Sequence, residues 1–305
     1  MKKVPIFFTC DDNYIPYLSV TLTSLIENSS DENIYDIKIL HTGILEKNEK
    51  IIKKHEKNNV FIEFVNISKE IEHIKQKFHT RDYYTGATYY RLFIPRLYPN
   101  IEKCVYLDCD VVVRGDIADF YSFDLEDNLI GGVPDEIVSV TEEFRIYTQK
   151  RLGVNYSNYI NAGVIIMNLK ELRTFEFETK FINAINKVKF KVAQDQDYLN
   201  TICKGRIKYL PKVWNKQPIE DSSINNEEIM LLHYNLNLKP WHYENIKYEN
   251  YFWDYAKKTE FFEFICSQKV VFDDEKKLKD KLDGENLIKL ALYEAEVLGE
   301  VSIND

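Results

Sequence analysis

Short apolar runs alternate along the chain with longer stretches whose apolar positions recur at helical spacing. The runs read as strands at Val4 to Cys10, Asp36 to Thr42, Val60 to Ile67, Lys103 to Val113, Leu129 to Val133, Ala162 to Leu169, Arg206 to Leu210 and Ile229 to His233. Between the first two, Pro16 to Asn28 places Leu18, Leu22, Leu25 and Ile26 on one helical face. Glu46 to Asn59 reads as a charged helix, and Phe177, Phe181, Ile185 and Val188 form another helical stripe. Strands separated by helices are the mark of crossover connections, and an uninterrupted run such as Val105-Tyr106-Leu107 implies cover on both faces. The pattern therefore predicts an α/β fold with a doubly wound core. The clearest composition shift falls near Phe272: from Asp273 to Asp305 there are ten acids against five lysines, with a helix expected at Leu287 to Leu298. The expected division is a main domain over 1–265 and a helical tail over 266–305.

Composition narrows the partners. Hydrophobic residues make up 45% of the 305 positions and aromatics 14%, which excludes global disorder. A net charge of −9 argues against broad nucleic-acid binding, whose affinity comes from Lys and Arg neutralising phosphates. Ten glycines leave little material for a glycine-rich phosphate loop, so any bound phosphate needs another cradle. The five cysteines (Cys10, Cys104, Cys109, Cys203, Cys266) form no CxxC pair and suit neither a disulfide framework nor a thiolate zinc site. Free thiols fit a reducing cytosol, so a cytoplasmic protein is expected. No run approaches the roughly 18 apolar residues of a membrane span, and the acidic tail lacks the basic face of an anionic-membrane anchor.

Five short patterns carry candidate chemistry. In Tyr106-Leu107-Asp108-Cys109-Asp110-Val111, strand alternation puts Asp108 and Asp110 on one side and Cys109 on the other. Two carboxylates within a greasy segment are costly without a positive partner. A hard divalent cation such as Mn²⁺ or Mg²⁺, shared with substrate phosphates, is the natural one. His233-Tyr234-Asn235-Leu236-Asn237-Leu238-Lys239-Pro240-Trp241 offers a further imidazole ligand and a lysine able to reach a phosphate. Gln194-Asp195-Gln196-Asp197 opens a helical stretch, where acids also serve as plain dipole complements. Asn161-Ala162-Gly163 opens a strand, where the glycine eases a bend on the simplest reading. Asp11-Asp12-Asn13-Tyr14 follows the first strand, at the carboxyl edge where open α/β sheets place their ligands, although a turn ahead of the Pro16 helix explains it equally.

Together, from about Val4 to Trp241, these patterns resemble the family 8 glycosyltransferases, the group that contains bacterial lipopolysaccharide galactosyl- and glucosyltransferases and glycogenin. The resemblance implies a GT-A-type fold, with a Rossmann-like, mostly parallel mixed sheet flanked by helices and, here, a C-terminal helical appendage. It implies retaining, Mn²⁺-dependent transfer of a hexose from UDP-glucose or UDP-galactose to a glycan or glycoconjugate. Residue by residue it assigns Asp108, Asp110 and His233 to the metal, and Thr9, Asp11, Asn13 and Tyr14 to the nucleoside. Lys239 is assigned to the diphosphate, and Arg91, Asn161, Ala162, Asp195 and Gln196 to the donor sugar. Asp135, after Gly131-Gly132-Val133-Pro134, is a donor or acceptor contact. One departure stands out: Leu236 occupies a position where the galactosyltransferases carry glycine, three residues after the histidine.

For retention, Gln196 and Asp195 are the groups expected near the anomeric carbon. An amide is a poor nucleophile, which favours front-face attack with the leaving diphosphate taking the acceptor's proton. A bound cation and a lysine can stabilise the leaving group without a general acid. The rival from another class is a nucleotide-sugar binding protein with impaired catalysis, suggested by Leu236. A nucleotidyltransferase expects a glycine-rich basic loop after the first strand, and Asp11-Asp12-Asn13-Tyr14 is not one. Tyr83, Tyr84, Tyr89, Tyr90 and the aromatics from Trp241 to Trp253 can stack on sugars or fill core, and the phrase Asp82 to Ala87 is expected over the donor site.

Overall fold

A computed structural model describes residues 1–80 and 86–301. Seven strands form the main sheet: β1 (Lys2–Thr9), β2 (Asn33–His41), β3 (Val60–Asn66), β4 (Lys103–Leu107), β6 (Ile130–Pro134), β7 (Ile160–Asn168) and β8 (Ile207–Tyr209), in the order β3-β2-β1-β4-β7-β6-β8. Pairing is parallel from β3 through β4 and again between β6 and β8. It is antiparallel on both sides of β7. The sheet is thus mixed and mostly parallel, as expected. Its central strands are continuously apolar because both faces are covered, one cluster packing around Tyr106, Phe93 and Phe181 and the other around Phe8, Leu18 and Val105.

The segment Lys103 to Val113 is not one strand. It breaks after Leu107 into a turn at Asp108-Cys109-Asp110 and resumes as β5 (Val111–Val113), which leaves the main sheet to pair antiparallel with β9 (Leu231–His233). Alternation thus gave the right outcome for Asp108 and Asp110 through the wrong geometry. The turn, not a strand pleat, turns them into the site, while Cys109 is buried with its thiol directed at the Thr9 carbonyl, 3.3 Å away. The helix Ile15–Glu27 holds this turn from behind: Thr21 Oγ1 lies 2.8 Å from the Cys109 carbonyl and 2.7 Å from that of Val111.

Two helix expectations shift. The charged helix ends at Lys53 instead of Asn59, because no apolar position continues the stripe after Ile52 and Glu56 instead accepts the Ile62 amide at 2.9 Å. The tail helix begins well before Leu287, at Asp274, where Asp273 caps it by accepting from Lys276 N at 3.0 Å, and it runs to Tyr293. Its far end is docked: Ala291 and Ala295 are buried, and the Glu294 carboxylate sits 3.6 Å from Arg151 Nε. Trp241 stacks on Tyr17 at 3.9 Å and both are buried, so this tryptophan is core, as are Tyr89 and Tyr90. Tyr83 and Tyr84, and most of the phrase Asp82 to Ala87, lie outside the described residues. No helix among the described residues is long and apolar enough to cross a membrane.

Candidate active site

The site grows from strand ends. β1 and β4 deliver Thr9 and Asp108 at their carboxyl edge, and because β7 runs the other way, its first residues Asn161, Ala162 and Gly163 arrive at the same edge. The Asp108 amide donates to the Gly163 carbonyl at 2.7 Å, fixing the turn to β7. The β5–β9 ribbon pairs Val111 with His233, and Tyr234 N donates to the Asp110 carbonyl at 3.0 Å, which swings the imidazole over the two carboxylates. Asp108, Asp110 and His233 each offer a ligand atom, and these lie within 4.8 Å of one another.

Three observations fit this trio to a cation. His233 Nδ1 lies 3.1 Å from Asn215 Oδ1, an acceptor, so Nδ1 carries the proton and Nε2 presents a lone pair. Nε2 stands 3.2 Å from Asp110 Oδ1 without hydrogen-bond geometry, leaving that buried oxygen without a donor. The site also closes around Gly163, where a Cβ would meet Asp108 Oδ2 and His233 Cε1 at 2.4 Å each. The glycine is therefore required by close approach, not merely by a bend. Gly163→Ala is expected to weaken Mn²⁺ or Mg²⁺ binding by about 10- to 100-fold, since it displaces two ligands at once; calorimetric titration of the metal checks this.

Electrostatics are set by two buried cations. Lys239 Nζ is bound by Asp110 Oδ2 and by the Tyr234 carbonyl. Burial alone would raise the Asp110 carboxyl, but the Lys239 ammonium on its Oδ2 outweighs it and holds it well below the usual carboxylate range. Arg91, 2% exposed and stacked 4.2 Å over the Tyr106 ring, lies on the 3₁₀ segment Gly86–Phe93. Its guanidinium reaches Asp108 Oδ1 at 3.0 Å, donates to the carbonyls of Thr88 and Ala162, and stands 3.0 Å from Asp195 Oδ2. Asp195 is pushed up to about 6, chiefly by burial and further by Asp108, against the pull of Arg91. It is the first residue of the helix Asp195–Ile202 but faces this ion pair, so the solvated dipole complement is not its setting.

One cleft collects nearly all the expected residues: Thr9, Asp11, Tyr14, Arg91, Asp108, Asp110, Asn161, Ala162, Asp195, Gln196, His233 and Lys239 line it. Asn13 does not; it is exposed, and its amide closes a turn onto Asp11 Oδ1 at 3.0 Å. Asp135 lines the adjoining cleft instead, capping the helix Glu136–Val140 and accepting from the amides of Asn161 at 3.0 Å and Gln196 at 3.2 Å.

A profile of glycosyl transferase family 8 matches residues 5–245, spanning every one of these positions. The chain belongs to glycosyl transferase family 8. Among curated relatives, the lipopolysaccharide 1,2-glucosyltransferase of Escherichia coli K12 is 28% identical over 259 residues, covering 78% of this chain and 74% of that one. Among solved structures, the galactosyltransferase LgtC in complex with donor and acceptor sugar analogs has a TM-score of 0.71 at 26% identity, covering 84% of this chain and 96% of that one. The apo structure of the bifunctional glycosyltransferase WbbM reaches a TM-score of 0.76 at 24% identity, which speaks for the fold; it covers 88% of this chain, and the chain spans about half of that protein, 52%.

Within this family 8 chain, several contributors went unread in the sequence. Tyr106 places its hydroxyl 2.8 Å from both Thr9 Oγ1 and Asp108 Oδ1, tying β1 to the first carboxylate. Asn215, between Trp214 and Lys216, orients His233 and donates to Asn161 Oδ1 at 3.1 Å. Gln217 Nε2 lies 3.2 Å from Asp135 Oδ1. Tyr106 has apolar neighbours, which say "buried" and not "paired", while Asn215 and Gln217 flank Lys216 and carry no comparable signal. Leu236 has φ of +49°, the left-handed region that favours glycine, so the backbone keeps the shape expected of a glycine there and carries a side chain besides.

Proposed function

We propose that this family 8 protein is a retaining hexosyltransferase that moves glucose or galactose from a UDP-sugar to a glycan or glycoconjugate, in the cytoplasm. The single observation that carries the reading is the convergence of two carboxylates and an imidazole with an oriented Nε2 and an unfilled Asp110 oxygen at the carboxyl edge of the sheet. Asp108, Asp110 and His233 would hold Mn²⁺, with Mg²⁺ as substitute, and the bound cation would neutralise the diphosphate and act as a Lewis acid on the leaving group.

The chain's own residues do the rest. Thr9, Asp11 and Tyr14 line the side of the cleft assigned to the nucleoside, and Lys239, held beside Asp110, adds positive charge where the diphosphate lies. Arg91, Asn161, Ala162 and Asp195 orient the donor sugar. Gln196 Oε1 accepts from Ala162 N at 2.9 Å while its Nε2 donates to Asp135. Tethered at both ends, it suits a positioning role better than attack on carbon. The acceptor oxygen bonds to the anomeric carbon on the face from which the diphosphate departs. The bond from that carbon to the phosphate oxygen breaks, and the acceptor's proton passes to the leaving diphosphate. Residues 1–265 form the catalytic unit in this reading, with 266–305 as its appended tail. The intact carboxylate and imidazole set, together with the preserved left-handed backbone at Leu236, favours the enzyme over a binding protein with impaired catalysis.

The expected result with purified protein and Mn²⁺ is slow UDP release from UDP-glucose or UDP-galactose, abolished by EDTA and accelerated by acceptor. Absence of turnover across a panel of sugar nucleotides and acceptors overturns the proposal.

A further inference from the structure

Resting on that reading, the acceptor's chemistry can be taken further. The donor cleft adjoins a second, smaller cleft, and the two share Gln196, Asn235 and Leu236. The second is walled largely by carbon, from Val138, Phe144, Tyr147 and, from the tail helix, Leu287. Most of its polar side chains are already satisfied within the protein. Asp135 accepts at both oxygens, the hydroxyls of Tyr147 and Tyr159 donate to Asp197 at 2.9 and 2.6 Å, and Thr148 donates to the Arg145 carbonyl at 3.0 Å. Gln196 is engaged at both ends.

Asn235 is the exception. It is 8% exposed, its Oδ1 has no donor, and it sits where the two clefts meet. A buried acceptor oxygen without a donor costs free energy that a ligand can restore. The occupant that suits this place carries an N–H or O–H donor beside a small apolar group. A hydroxyl alone supplies the donor but leaves the carbon walls facing a polar substituent. We infer that the acceptor is a 2-acetamido sugar, its amide N–H donating to Asn235 Oδ1 and its methyl lying against Leu236 and Leu287. Asn235, Leu236 and Leu287 then set acceptor specificity, and the tail helix is part of the site's wall.

Two measurements test this, one of them independent of turnover. Methyl glycosides of N-acetylglucosamine and N-acetylgalactosamine are compared with methyl glucoside and galactoside as acceptors. At least about tenfold higher kcat/KM is expected for the acetamido compounds, falling to parity in Asn235→Ala and in Leu287→Trp, which narrows the cleft from its outer side. Saturation-transfer NMR with Mg²⁺, UDP and the acetamido glycosides is expected to show the acetyl methyl as the most strongly saturated group, an effect lost in Leu287→Trp. Equal use of the unsubstituted hexosides, or a methyl no more saturated than the ring protons, overturns the inference while leaving the transferase reading standing. Selective saturation of the methyl without turnover of any sugar nucleotide upholds the inference and removes the transferase reading.

Discussion

Asp110→Asn is expected to reduce transfer by about a thousandfold or more in a UDP-release assay with Mn²⁺, alongside loss of metal binding by calorimetry. Asparagine keeps the size of the side chain but loses the charge that Lys239 holds in place. Its two oxygens have distinct duties: Oδ2 pairs with Lys239, and Oδ1 stands near the His233 Nε2 lone pair with no donor of its own. The substitution also takes from Lys239, 1% exposed, the carboxylate it is paired with. Breaking one side of a buried pair costs about 3–5 kcal/mol, so denaturant unfolding and near-UV circular dichroism must accompany the assay. A folded Asp110→Asn protein that retains activity within tenfold of the parent refutes the assignment.

Arg91→Met is expected to lower unfolding free energy by about 3–5 kcal/mol, and Arg91→Lys to recover little of it. The guanidinium is the hub between two acids from distant segments, Asp108 after β4 and Asp195 at the start of a helix, and it anchors two carbonyls as well. A lysine is a point charge and cannot span that fork. Without Arg91, Asp195 loses the guanidinium that opposes its desolvation, so its carboxyl, already pushed up to about 6, rises further. Chemical denaturation of the three proteins at neutral pH checks the prediction. A loss of less than about 1 kcal/mol in Arg91→Met shows that the pair contributes little to holding the fold.

Periodicity carried most of the fold because strand and helix periods are local properties. Each of the eight apolar runs holds a strand, the run from Lys103 to Val113 holding two, and the Ile15–Glu27 and Phe177–Lys187 helices fall where the stripes lie. What eluded it was the break at Asp108-Cys109-Asp110. A two-residue repeat continues smoothly through the letters, and the turn is held by groups far away in sequence, the Thr21 hydroxyl, the Gly163 carbonyl and the Tyr234 amide. The same limit applies at the site. Asp108, Asp110, His233, Gln196 and Lys239 stood in recognisable phrases, whereas Asn215 and Gln217 contribute through partners 18 and 82 positions away, and Tyr106, inside the aspartate phrase, also reaches Thr9, 97 positions away. Asp135 and Asn13 illustrate the converse, since a matching phrase fixes a neighbourhood, and hydrogen bonding decides which way the side chain turns.

The β5–β9 ribbon joins residues 111–113 to residues 231–233. Every strand of the seven-stranded sheet is complete by Tyr209. In the order of synthesis, every strand of that sheet, both aspartates and Arg91 therefore precede the imidazole and Lys239. The imidazole and the ammonium that balances Asp110 are thus supplied last, and a chain cut short in the loop after Tyr209 would carry the residues of every sheet strand yet lack both.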